Sequence, residues 1–194
     1  MNTNSHIMIA ELIYEHLQAE HAIHLEKKDF IKGNTIPDFS YYAIAHPHFM
    51  RFSLGYIQTE VDAITNTYLE SAWIGSGYSF RLGIICHYYA DFFCYAHSSG
   101  YRQVVVNHLK YEHLLYRYFL DNYASIAEMK HAFPGEPRES AEEINKKTRE
   151  LHAEYAGGEP SYGKDLLYTL RACAGAIVSL VHCSLKQPAA EPSG

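Results

Sequence analysis

The chain has 194 residues, 47% of them hydrophobic, and a net charge of -6 with histidine counted as neutral. That length supports a domain with a substantial apolar core, and the acidic balance argues against nucleic-acid binding through a basic surface. The 13 histidines exceed what such a length normally carries and point to metal chemistry, while 17 Tyr and 9 Phe supply an aromatic interior.

The start, MNTNSHIMIAELIYEH, has no basic segment followed by an apolar run, so no signal peptide is visible. Cys86, Cys94, Cys173 and Cys183 lack zinc-ribbon spacing and read as reduced core thiols of a cytoplasmic protein. Ser5 is placed to cap a first helix from about His6 to Lys28. Its inward stripe is Ile9, Ala10, Ile13 and Leu17, with His6 at the N-terminal end of that stripe. A histidine there is commonly a surface residue. The helix dipole, however, disfavours the charged imidazolium and suits a neutral, metal-ligating one.

In DFIKGNTIPDFSYYAIAHPHF, the residues Gly33, Asn34 and Pro37 break the helix and leave an ordered aromatic loop. Asp38 after Pro37 fits a turn or cap as readily as a site. His46 and His48 bracket Pro47, so one or both can point inward. From Phe49 to Tyr68 the apolar residues return at helical spacing, and Ser71 to Ser79, with Gly75 and Gly77, turns the chain.

The stretch RLGIICHYYADFFCYAH, Arg81 to His97, is apolar or aromatic on every side and predicts a central, fully buried helix. His87 and Asp91 lie one turn apart on it, about 40° around the axis. Gly83, Ala90 and Cys94 project to much the same side and leave room there. A carboxylate and an imidazole in a core need partners, and a metal ion uses both. A simple His–Asp hydrogen bond is the metal-free alternative.

The next helix is predicted from about Tyr101 to Tyr123, with Val105, His108, Leu109, Glu112, Tyr116 and Phe119 on one face. An unpaired Glu112 centred on that face would be costly or stay protonated. His108, one turn earlier, makes with it a second metal-ligand pair. His113 faces away. Ser140-Ala-Glu-Glu143 is a capping box opening a polar helix to about Tyr155 that reads as peripheral. Lys164 to Lys186 forms the last helix, and its apolar run from Ala172 to Leu185 is too short to span a bilayer. The expectation is one all-α domain over residues 1–186 with five to seven helices, no transmembrane segment, and a disordered tail at 187–194.

The ordered set His6, Pro37-Asp38, Pro47-His48, His87-x-x-x-Asp91-x5-His97 and His108-x-x-x-Glu112 resembles the zinc-dependent phospholipase C family. That family has an all-α fold around a cluster of up to three zinc ions, and the S1/P1 nucleases look like distant relatives. The resemblance runs from His6 to just past Glu112. It implies one zinc on His48, His87 and Asp91, and a second on His97, His108 and Glu112. Asp91 could bridge to a third zinc on His6, and Asp38 would be a ligand or the general base. His48 is preferred to His46 because the family's histidine directly follows a Pro and precedes an aromatic. In the secreted enzymes an N-terminal Trp also holds the third zinc, whereas the only Trp here is Trp73, so that site lacks its usual ligands.

The implied activity is phosphodiester hydrolysis of the phospholipase C type by a metal-bound hydroxide, on a small phosphodiester or a phospholipid head group. No specific nucleic-acid partner is expected. The alternatives are a nuclease or nucleotide phosphodiesterase of the S1/P1 type, and a non-catalytic zinc-binding helical domain. Tyr41, Tyr42, Phe49, Tyr88 and Tyr95 could cradle a choline-like cation, stack a nucleobase, or simply pack the core. The sequence leaves the substrate and the oligomeric state open.

Overall fold

A computed structural model describes residues 1–39, 45–98, 100–101, 105–129 and 136–187. Eight α-helices lie among them, one more than the sequence predicts at most. They are α1 (Thr3–His21), α2 (Lys27–Gly33), α3 (Met50–Thr65), α4 (Ser76–Phe92), α5 (Val105–Asp121), α6 (Tyr123–Ala127), α7 (Ala141–Ala156) and α8 (Tyr162–Lys186). Two-residue strands β1 (His24–Leu25) and β2 (Trp73–Ile74) form one parallel bridge. The protein is all-α.

The middle of the molecule is α4. From Leu82 to Phe92 every residue on it is buried, and α2, α8, α3 and α1 surround it. Fully burying side chains such as Tyr88, Tyr89 and Phe93 stabilises the core by roughly 1.5–3 kcal/mol each. The four cysteines are buried free thiols. The helix α8 lies against α4 with Leu166, Leu170, Ile177 and Leu180 buried. By length and composition alone the whole of α8 would suffice to cross a membrane, although its run from Ala172 to Leu185 is shorter than a span. Most of its apolar window is nevertheless buried against the rest of the chain, as in a core helix.

One crossing sets the position of the site. A methyl group on Gly33 would fall 2.1 Å from the Phe80 carbonyl oxygen, and one on Gly83 would fall 2.2 Å from that of Phe30. The backbones of α2 and α4 therefore touch, which only glycine at both positions allows. Gly83 makes room for a helix and not, as expected, for a ligand.

Other boundaries also differ from expectation. The first helix is capped by Asn2, whose side chain accepts from the Ser5 amide at 2.9 Å, so Ser5 is inside the helix and not its cap. It stops at Ala22, whose left-handed φ of 52° turns the chain well before Lys28. The central helix ends at Phe92, and Tyr95–His97 forms a separate 3-10 turn after an extended Cys94. On α5 the buried residues are Glu112, Leu115 and Phe119, while Val105 and Leu109 are exposed. Ser140 caps its helix, accepting from the Glu143 amide at 3.2 Å, while the Glu143 side chain accepts from the Glu139 amide at 2.9 Å. That helix is less peripheral than its composition suggests, since Ile144, Leu151 and Tyr155 are buried. The expected tail, beyond residue 187, lies outside the described residues, as do Tyr41 and Tyr42.

Candidate metal centre

Five helical elements and one loop bring the charged groups together. His6 projects from the first turns of α1, Asp38 from the 3-10 turn Ile36–Phe39, His87 and Asp91 from α4, and His108 and Glu112 from α5. His48 arrives on the loop before α3 and His97 on the turn after α4. His6, His87 and Asp91 are completely buried.

Asp91 is the hub. Its Oδ1 lies 3.4 Å from His6 Nε2 and 3.5 Å from His97 Nε2. Its Oδ2 lies 3.0 Å from His48 Nδ1 and 3.4 Å from His87 Nε2. Asp38 Oδ1 sits at the far edge, 3.7 Å from His48 Nδ1 and 3.8 Å from His87 Nε2. On the other side Glu112 Oε1 is 3.0 Å from both His97 Nε2 and His108 Nε2. His6 and His87 stack with ring centroids 4.0 Å apart. His46 takes no part in this. Its ring stacks on Tyr56 at 3.8 Å.

Backbone carbonyls orient three of the imidazoles. Nδ1 of His87 faces the Asn34 carbonyl at 2.9 Å, that of His97 faces the His48 carbonyl at 3.1 Å, and that of His108 faces the Ala96 carbonyl at 3.1 Å. With the Nδ1 hydrogen given to a carbonyl, each Nε2 keeps its lone pair toward the centre, the arrangement found around metal-bound histidine.

Electrostatics sharpen this division of labour. Burial, joined by repulsion from His6, pushes His87 well below its usual pKa, and burial brings His97 down to about 4. Both are neutral imidazoles at physiological pH. Burial works against ionising Asp91, but His97, the Met1 amine and His6 outweigh it and hold the carboxyl well below the usual range. Glu112 is held low in the same way by the amine, His108 and His97. Burial pushes Asp38 up. For His48 the bond to Asp91 outweighs burial and raises the pKa.

These residues fit a metal cluster. Donors about 2.1 Å from a tetrahedral zinc stand about 3.4 Å apart, and the separations above run from 3.0 to 3.8 Å. Three donor sets each lie within 4.8 Å, namely His6–His87–Asp91, Asp38–His48–His87 and His97–His108–Glu112. Among the described residues the buried Nε2 atoms of His6, His48 and His87 have no hydrogen-bond partner, and such atoms are costly in a core unless something coordinates them.

The eight residues singled out in the sequence all reach this centre. Sequence reasoning missed three more. The Met1 amine bonds to Asp91 and lies 3.0 Å from His97 Nε2 and 3.2 Å from Glu112 Oε1. Thr3 donates to Asp38 Oδ2 at 3.0 Å. Asn34 donates its amide to the His6 carbonyl at 2.8 Å while its own carbonyl holds His87. In the sequence Asn34 reads as a helix breaker and as part of the Gly33-Asn34 to Pro37-Asp38 stretch that resembles the family, but its contacts to His6 and His87 depend on how α2 meets α1 and α4 and leave no trace there.

Comparison with curated proteins and with solved structures finds no match. Comparison with family models does: residues 5–162 match that of the zinc-dependent phospholipase C family. With a match over most of its length, and a cluster of histidines and acids able to hold metal, the chain belongs to the zinc-dependent phospholipase C family.

Proposed function

We propose that the protein is a zinc-dependent phosphodiester hydrolase of the phospholipase C type, cleaving a small phosphodiester or a phospholipid head group at a cluster of two or three zinc ions. The observation that carries this reading is the pair of faces on Asp91. One carboxylate oxygen meets His6 and His97, the other His48 and His87.

The set His97, His108 and Glu112 would hold one zinc. His87 would serve only one neighbouring ion, since its Nδ1 is engaged by Asn34. That ion would take His87 with Asp91, and with His48 or His6. A third ion would use whichever of His6 and His48 remains, together with a carboxylate oxygen. Zinc in such a cluster lowers the pKa of a coordinated water toward about 7 and takes up negative charge on a phosphoryl oxygen.

The chain's own contribution is positional and acid–base. Asp38 is partly exposed at the rim, anchored through Oδ2 by Thr3, and its Oδ1 is free to receive a proton from the attacking water. The new bond joins the water oxygen to phosphorus as Asp38 takes the proton, the phosphorus–oxygen bond to the leaving group breaks, and the alkoxide is protonated from solvent, to which Asp38 returns its proton.

Elemental analysis of untagged protein, paired with hydrolysis of a p-nitrophenyl phosphodiester, tests the proposal. Two to three zincs per chain and turnover that stops on chelation are expected. The Asp91→Asn protein should lose both zinc and activity. Full activity in Asp91→Asn, or no turnover by zinc-loaded wild type, overturns the reading.

A further inference from the structure

Beside the metal centre runs a groove of about 650 Å³, with His97 in its wall. That is the size of a small-molecule site and leaves no room for a polymer to lie enclosed. Its apolar side is built from Phe49, Met50 and Leu54, and the Phe49 ring leans on His97 with centroids 5.5 Å apart. Three cations also line it: Arg51, Arg149 and Lys164. Among the described lining residues there is no carboxylate.

None of these cations is neutralised by an acid among the described residues. Arg51 lies over the Phe52 ring at 4.6 Å, and Lys164 over the Tyr155 ring at 5.0 Å. They come from three separate elements, the starts of α3 and α8 and the middle of α7. In a chain of net charge -6, three unneutralised cations converging on one groove mark a place for negative charge. A choline-like cation, which the aromatic residues alone would suit, meets like charge here. Tyr95 and Phe49 do line the groove, but in company that repels it.

We propose that this groove selects phosphodiesters bearing a second anionic group, most simply a phosphate monoester, held by Arg51, Arg149 and Lys164 while the scissile phosphate lies at the metal centre. The proposal rests on the phosphodiesterase reading and names its substrate class. The same chemistry occurs in phosphorylated lipid head groups and in nucleotides carrying a terminal phosphate.

Calorimetric titration of the zinc-loaded protein separates these cases without needing turnover. The probes are inositol 1,4-bisphosphate for the lipid source, thymidine 3′,5′-bisphosphate for the nucleotide source, and phosphocholine as the singly phosphorylated, cationic reference. At least one bisphosphate should bind about tenfold tighter than phosphocholine, a difference of about 1.4 kcal/mol, and the tighter of the two identifies the source. The Arg149→Ala/Lys164→Ala protein should lose that advantage with zinc content and helicity unchanged. Equal or tighter binding of phosphocholine, or a ratio that survives the double substitution, overturns the proposal. Absence of any phosphodiester hydrolysis would instead overturn the underlying function, leaving the binding ratio to decide this one.

Discussion

At the scale of single residues, Asp38 and Asp91 show how burial separates two roles for one side chain. Asp91 is fully enclosed and held ionised by the histidines around it, whereas Asp38 is partly exposed and pushed up by burial. Removing Asp91 therefore strips the cluster of its hub. Removing Asp38 leaves the three sets of donors short by one oxygen only. In the Asp38→Asn protein, kcat should fall by about 10²–10⁴, the range for loss of a general base, with most of the zinc retained. Elemental analysis alongside steady-state kinetics checks this, and loss of metal in step with activity would make Asp38 chiefly a ligand. Both acids are visible in the sequence, Asp91 by its spacing from His87 and Asp38 through the resemblance of Pro37-Asp38 to the family's pattern. Their difference in exposure is not, because it depends on how α1 and the 3-10 turn close over α4.

At the scale of elements, the helical period made His87 with Asp91, and His108 with Glu112, readable as pairs, since each pair rides on one helix. His97 was readable as a residue but not in its position. No Gly or Pro marks the break after Phe92, and the chain leaves the helix at Phe93 so that the 3-10 turn can face α5. Gly83 was misread for a related reason: small size shows that something approaches, not what. The contact between Gly33 and Gly83 now carries a prediction. Gly83→Ala should destabilise the fold by at least about 2 kcal/mol through overpacking, lowering Tm by about 4–8 °C in a chain of this size. The control is Gly55→Ala, where nothing lies within 4 Å of the added methyl and a helical Gly gains about 0.5–1 kcal/mol on becoming Ala. Equal thermal shifts in the two variants would refute the close crossing.

At the scale of the whole molecule, Asp165 ties four parts together. From the start of α8 its carboxylate accepts from the Tyr95 amide at 3.0 Å, from Tyr111 at 2.9 Å and from Tyr155 at 2.8 Å. Burial nevertheless dominates and pushes its pKa from 3.8 to about 6. A carboxyl with a raised pKa in the fold contributes its stability below pH 4 and loses it as pH rises through 6. That loss is about 3 kcal/mol, so wild-type stability should fall relative to Asp165→Asn between pH 4 and pH 7 in urea titrations. Parallel curves would show that the hydrogen bonds keep the acid ionised. Bound zinc would act across the same body. At a hundredfold excess over its dissociation constant it should add about 2.7 kcal/mol, raising Tm, and chelation should leave helicity intact, since α4 and α8 are held by their buried apolar residues. A last consequence follows from Asn34, which grips the His6 backbone with its amide and the His87 ring with its carbonyl. The two stacked imidazoles thus share a single peg at the buried C-terminal cap of α2. Unwinding that one turn would slacken both together, so metal should leave this half of the cluster in one concerted step and not ligand by ligand.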